Sequence, residues 1–314
     1  MQRRDGLRAL GGLAATLWAG VAPQAQTMTG ATTGPNPGPA SGPISGLTSG
    51  PYAPADLALA AQIRDRALTD TRALALVREL AQTIGARPAG SAADARAVAW
   101  AQQQLTALGL AQVRADPVPL TVWRRGPGSA ELLAPERHTL VMAALGNSVD
   151  TPEGGIEAEI AYYRDFDALK ADTSTRAQGR IAFVDQVTER SRDGAGYGRA
   201  VPARFGSAAE AAKRGALAVV IRSLGTDHER IAHTGAMRYD DSAARIPAVA
   251  VSVPDADTVA RLVAGGTPVR LKLQVATQLN VAAQSANVIG EVPGSDLAEE
   301  VVLLSAHLDS WDLG

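Results

Sequence analysis

An unbroken apolar run, Val301–Leu304, follows the turn-forming Pro293-Gly294-Ser295 and leads into His307 and Asp309. A short β-branched and leucine run with no polar alternation predicts a strand buried on both faces, as in parallel sheets. A chain built around such a strand needs helices to cover the sheet, which points to an α/β fold. Residues at the carboxyl end of the strand sit where open α/β sheets bind their ligands. A histidine there either offers a ring nitrogen to a metal, with the nearby carboxylate orienting it, or is a structural group satisfied by a partner. The His-x-Asp spacing alone leaves both readings open.

The stretch from residue 55 to 125 opens like an α/β layer. Thr69 or Asp70 can cap a helix running to Ile84, with Leu74, Val77, Leu80, Ala81 and Ile84 on one face and Gly85 ending it. After the turn Ala86–Gly90, Ser91 caps a second helix with Asp94 as its capping-box partner. Ala97, Ala101, Leu105 and Leu108 form its apolar face and Gly109 its end. Alternation over Val113–Val122 predicts a half-buried strand. From Gly126 to about Ala276 the texture changes to short strands and frequent turns. Strands are expected near 129–133, 139–144, 156–163, 180–185, 217–222, 247–252 and 269–275, with helices only at 207–215 and 255–264. That pattern reads as a compact β-rich domain.

The segments IGARPAGS (84–91), IAHTGAMRY (231–239), SANVIGEVPG (285–294) and SAHLDSWDLG (305–314) carry a family resemblance that extends over about residues 55 to 314. Together they resemble the zinc metallopeptidases of the aminopeptidase Y and plasma glutamate carboxypeptidase (carboxypeptidase Q-like) group. The resemblance implies an open sheet of the zinc-exopeptidase type, incomplete here, with a β-rich protease-associated domain inserted at 126–276. GRIAFVDQ, AAKRGALAVVIRS and IPAVAVS are similar to that insert. The chain would return to the peptidase domain over 277–314. It further implies that His307 is a zinc ligand, that Asp309 supports it in catalysis, and that the loop bearing His233 touches substrate. The family's two zinc ions need further carboxylates, a second histidine and a glutamate base that lie beyond the His-x-Asp strand. A two-metal site clamps ions about 3.5–4 Å apart, which one histidine cannot do. The expectation is therefore an amino-terminal part of an exopeptidase that is itself inactive. The competing expectation is a non-catalytic peptide-binding module based on the insert. A complete single-zinc hydrolase fails on ligand count.

Residues 1–25 have the three parts of a secretory signal: Arg3, Arg4 and Arg8, an apolar stretch from Ala9 to Ala22, and small residues at Ala22 and Ala25 for cleavage. Arg3-Arg4 also allows a twin-arginine signal, although Gly6 stands where a bulky apolar residue is expected. Residues 26–54 are rich in Thr, Gly, Pro, Ser and Ala and predict a flexible tether. The mature chain is expected to be exported, periplasmic or extracellular, with no membrane association. The 314 residues contain no cysteine, which excludes thiol nucleophiles and thiolate zinc sites. A net charge of −2 and 4% aromatics offer neither the charge nor the stacking platform for nucleic acid. The expected partner is a peptide or dipeptide substrate, with a homodimer allowed.

Three other clusters are weaker. His228–His233 spells H-E-x-x-x-H, one residue longer than the zinc-helix motif. Five steps of about 100° turn the second ring roughly 140° from the first, so a loop is expected. Gly194–Ala200 lacks phosphate-loop spacing and reads as a flexible loop. Arg87 belongs to a turn, His138 to the surface, and Asp312 has only its proximity to the motif.

Overall fold

The computed structural model describes residues 52–313. The expected signal peptide and nearly all of the expected tether lie outside the described residues. Helix α1 (Pro54–Thr69) belongs to one compact unit, and residues from Asp70 onward form a second. The sequence reading assigns no element to α1 because its alanine-rich run has no apolar stripe, and the helix buries no residue.

In the second unit, α2 (Arg72–Glu79) starts where Asp70 accepts the Arg72 amide at 2.7 Å. The stretch expected as one α-helix to Ile84 widens into a π turn over Leu80–Ile84. Gly85, at φ 77°, closes it by donating to the Leu80 carbonyl at 3.0 Å. α3 (Ala92–Ala107) starts with Ser91 accepting the Asp94 amide at 3.1 Å. The Asp94 carboxylate reaches back to the Gly90 amide at 2.8 Å, a reciprocal cap shifted one residue outward from the usual box. Gly90 is required there, since its φ is +76° and a Cβ would meet the Ala283 side chain at 2.6 Å.

The sheet has eight strands. In chain order these are β1 (Ala111–Ala134), β2 (His138–Leu140), β3 (Met142–Ala144), β4 (Ile156–Tyr163), β5 (Ile181–Val184), β6 (Ala218–Arg222), β7 (Ala248–Val251) and β8 (Arg270–Glu291). Their order across the sheet is β2-β1-β8-β4-β5-β6-β7-β3. β4 to β7 are mutually parallel, and β1 and β8 form a long antiparallel ribbon. The two edge strands β2 and β3 are consecutive in the chain, with Val141 alone between them. One residue spans about 3.3–3.6 Å, so the sheet has to curl until its edges meet.

Ile181, Phe183, Val220, Val249 and Val251 line one face, packed with Leu271 and Leu273 of β8 and with Ala256 and Val259 of α6 (Val253–Ala264). Ala182, Val184, Val219 and Ile221 line the other, against Leu169 of α4 (Phe166–Ala171) and Ala203, Ala208 and Ala211 of α5 (Ala195–Lys213). Strands β5 to β7 are thus buried on both faces, which their unbroken apolar composition requires. Phe183 is 1% exposed and stacks on Tyr162 with ring centroids 6.0 Å apart. Phe183→Ala is expected to cost about 3–5 kcal/mol, read as a lower urea midpoint at unchanged slope.

Three sequence expectations need correction. Within 126–276 the two expected helices are present as α5 and α6, and a third that was not expected, α4, joins them around a parallel core. The change of texture near 126 coincides with a bulge inside a continuous strand: β1 and β8 both run through, with an irregularity between Arg125 and Gly128. Residues 194–200 are not a loop but the entry to α5. There Asp193 accepts the Ala195 amide, Ser191 accepts the Gly196 amide, and a Cβ at Gly196 would strike the Glu189 carbonyl. Glycine lowers helix propensity, and tertiary closeness overrides it here. Finally, Val301–Leu304 form no strand and are 82–91% exposed, since no described strand lies beside them to pair with.

Candidate metal centre

His307 and Asp309 follow that extended run, and the structure brings them together. Nδ1 of His307 lies 2.8 Å from Oδ1 of Asp309. This contact engages one ring nitrogen and leaves Nε2 without a partner among the described residues, on a side chain that is 82% exposed. The arrangement suits metal ligation, since a carboxylate on the far nitrogen fixes the tautomer and aims the other lone pair outward. Fit to a metal stops at one donor. No group of three or more histidine, aspartate or glutamate side chains that could hold an ion occurs among the described residues.

The backbone around the pair is clasped from two sides. Arg87, in the turn before α3, donates through Nε to the Leu308 carbonyl at 2.6 Å. Its own amide donates to the Ser310 hydroxyl at 3.1 Å, and the Ser310 amide returns a bond to the Arg87 carbonyl at 3.1 Å. Arg87 therefore positions the segment between the histidine and the carboxylate's neighbour. In the sequence Arg87 shows only as a turn residue, because partners more than 200 positions away give no local signal.

Arg125, at the bulge of β1, makes the second clasp, and no sequence feature marked it. Its Nε and one terminal nitrogen hold Asp312 at 2.6 and 3.1 Å, and the same terminal nitrogen donates to the Thr234 hydroxyl at 2.6 Å. The guanidinium lies 4.9 Å from the Trp123 ring, whose own nitrogen donates to the Ser148 carbonyl. Burial pushes the Asp312 carboxyl up, but the hydrogen bonds and charge of Arg125 outweigh it and hold the group below its ordinary value. Asp312 is thus a structural anchor. Thr234 belongs to the loop 231–239, which is itself fixed: Met237 is fully buried, Gly146 donates to the Gly235 carbonyl, and the Met237 amide donates back to Gly146. His233 sits beside Thr234, with Nε2 2.8 Å from Asp227 and its amide on the Ser223 hydroxyl. Residues 228–233 are irregular and not helical, as the spacing predicts. Arg125 so joins the loop of His233 to the segment of His307. Arg125→Ala is expected to speed amide hydrogen exchange in 231–237 and 308–313 together, by about tenfold or more. Each charge-assisted bond lost is worth about 1.5–3 kcal/mol.

No protein-family model matches the chain. Carboxypeptidase Q of Bos taurus is 37% identical to it over 235 residues, which cover 75% of this chain and 48% of the relative. Carboxypeptidase Q of Homo sapiens is 36% identical with the same coverage. The crystal structure of a peptidase M28 precursor from Shewanella amazonensis SB2B superposes with a TM-score of 0.78 at 41% identity, covering 82% of this chain and 58% of that one. The chain spans about half the length of the curated relatives it matches. The mixed α/β fold is shared with the Shewanella amazonensis peptidase over the part that this chain spans. The chain belongs to the M28 peptidase family, alongside carboxypeptidase Q.

Proposed function

We propose that the chain is the amino-terminal part of an exported zinc exopeptidase that removes a terminal residue or splits a dipeptide. The observation that carries this is the paired His307–Asp309 with an open Nε2, held at a fixed place by Arg87 and Arg125. His307 is the ligand this chain contributes, and Asp309 takes the Nδ1 proton in a hydrogen bond that sets the ring's direction. When bound, zinc polarises the scissile carbonyl and activates water. Two ions are proposed for the complete site, and only one donor comes from the residues described here. His233, on the loop joined through Arg125, is proposed to face substrate. Residues 126–276 are proposed as the inserted protease-associated domain. No described helix is long and apolar enough to cross a membrane.

The test has two arms. The 314-residue chain alone, assayed on aminoacyl and dipeptide substrates with added zinc, is expected to show no turnover. Metal-dependent hydrolysis that a chelator abolishes would overturn the partial-site reading. A complete form, carrying counterparts of the rest of the relatives' length, is expected to hydrolyse peptides with zinc. Absence of hydrolysis there would leave the alternative, a non-catalytic peptide-binding module.

A further inference from the structure

Two arginines have a buried nitrogen with no acceptor among the described residues, Arg125 and Arg204. They differ in the rest of the fork. Arg125 spends its other nitrogens on Asp312 and Thr234. Arg204, near the middle of α5, has no carboxylate, carbonyl or hydroxyl on any of its nitrogens among the described residues. Its guanidinium carbon lies 5.7 Å from the Tyr197 ring centre and 5.3 Å from that of Phe205. The backbone of Gly235 closes the remaining side, where a Cβ would meet the guanidinium carbon at 2.5 Å and two of its nitrogens at 2.6 Å. Rings and a bare backbone hold the group flat, and its Nε is desolvated without compensation. The two terminal nitrogens, one of them beside Gly235, are not among the fully buried unpartnered atoms, so both keep some exposure. Gly235 directly follows Thr234, which Arg125 ties to Asp312, so the loop 231–239 lies between Arg204 and the His307 segment's clasp.

We propose that Arg204 is the receptor for a carboxylate of the peptide substrate, taken end-on by its two terminal nitrogens. The geometry matches what a guanidinium offers a carboxylate, two parallel donors in one plane. The inference rests on the peptidase reading above and adds the chemical class that the substrate must carry. A peptide supplies such a carboxylate either at its C-terminus or on an acidic side chain.

The experiment uses the 314-residue chain with ¹⁵N-labelled arginine, following the Arg204 Nε–H resonance, assigned by its loss in Arg204→Gln. Three probes are titrated: alanyl-alanine, alanyl-alaninamide, and alanyl-glutamate blocked as its main-chain amide. Alanyl-alanine, alanyl-glutamate amide or both are expected to move the resonance and to bind at least about tenfold more tightly than alanyl-alaninamide. Whichever does so identifies the source of the carboxylate. Arg204→Gln is expected to erase the discrimination at an unchanged melting temperature. Arg204→Lys, which keeps the charge and loses the fork, should retain part of it. Arg176→Gln, removing a guanidinium that lies 4.3 Å from the Tyr163 ring elsewhere in the fold, should leave it intact. Equal binding of all three probes, binding of none, or discrimination that survives Arg204→Gln overturns the proposal. Hydrolysis plays no part in this readout. An inactive complete form whose chain still discriminates refutes the peptidase reading alone, and an active one without discrimination refutes Arg204 alone.

Discussion

His307→Ala is expected to abolish turnover in the complete form and to remove one bound zinc, while leaving the melting temperature unchanged. The side chain is 82% exposed and buries nothing, so its loss costs no packing. Its value lies in Nε2, the free nitrogen of a ring whose Nδ1 rests on Asp309. Asp309→Ala should be milder, about 10–100-fold in zinc affinity or rate, because the ligand remains and only its orientation is lost. Elemental zinc analysis beside the rate of each variant separates the roles. Equal zinc loss in both variants would make Asp309 a direct ligand, and a His307→Ala protein that keeps its zinc and rate would return the histidine to a structural role.

An effect on stability as large as that of Phe183→Ala is expected at Arg222, at the end of β6. Its Nε reaches Asp185 at 2.6 Å and a terminal nitrogen reaches Asp257 at 2.8 Å, with the Arg222 and Asp185 side chains each 7% exposed. The Tyr162 hydroxyl donates to the second Asp185 oxygen. Burial pushes the Tyr162 phenol well above its ordinary value, and its bond to Asp185 adds to the rise. For Arg222 burial acts the other way, and the two carboxylates overcome it to strengthen the charged form. Arg222→Met keeps the volume and strands the Asp185 carboxylate in a dry site, at an expected cost of about 3–5 kcal/mol. Adding Asp185→Leu should recover much of that loss, because an apolar pair of similar size replaces a pair whose desolvation was never cheap. Urea unfolding of both single variants and the double variant measures the coupling. A single variant within about 0.5 kcal/mol of the parent would show that water reaches the site.

Local rules made part of this molecule readable. β4 falls at the expected 156–163, where Glu157 and Glu159 alternate with apolar residues, and β5, β6 and β7 each lie within the expected ranges, because strands buried on both faces are marked by apolar runs. Ser91 and Asp94 cap α3 because capping is settled within four residues. His307 and Asp309 were legible as a pair for the same reason. What escaped depends on long-range partners. Arg87 and Arg125 act on residues 308–312, so their roles exist only once the chain has folded. The glycine-rich entry to α5 looked like a loop because its reason, the close approach to the Glu189 carbonyl, lies outside the helix. Val301–Leu304 carried a strand's composition but have no neighbour among the described residues.

The curled sheet also decides where the chain is open to self-association. Its two terminal strands are three residues each and are drawn together by Val141, so the body offers little free backbone on which another copy can template. The ribbon is different. Before Ala130 β1 has only β8 as a strand partner among the described residues, and beyond Leu273 β8 has only β1, with Thr151 engaging the amide and carbonyl of Val275, so both outer rims lack a strand partner over many residues. Charged and proline residues on those rims, Arg114, Asp116, Pro117 and Pro119 among them, discourage pairing in the way edge strands commonly do. Val301–Leu304, exposed and apolar, is guarded on one side by Glu299 and Glu300 and is open on the other, where Ser305 and Ala306 follow. Aggregation of this chain, when it occurs, is therefore set to begin at that tetrapeptide and spread along the ribbon, with the parallel core still folded.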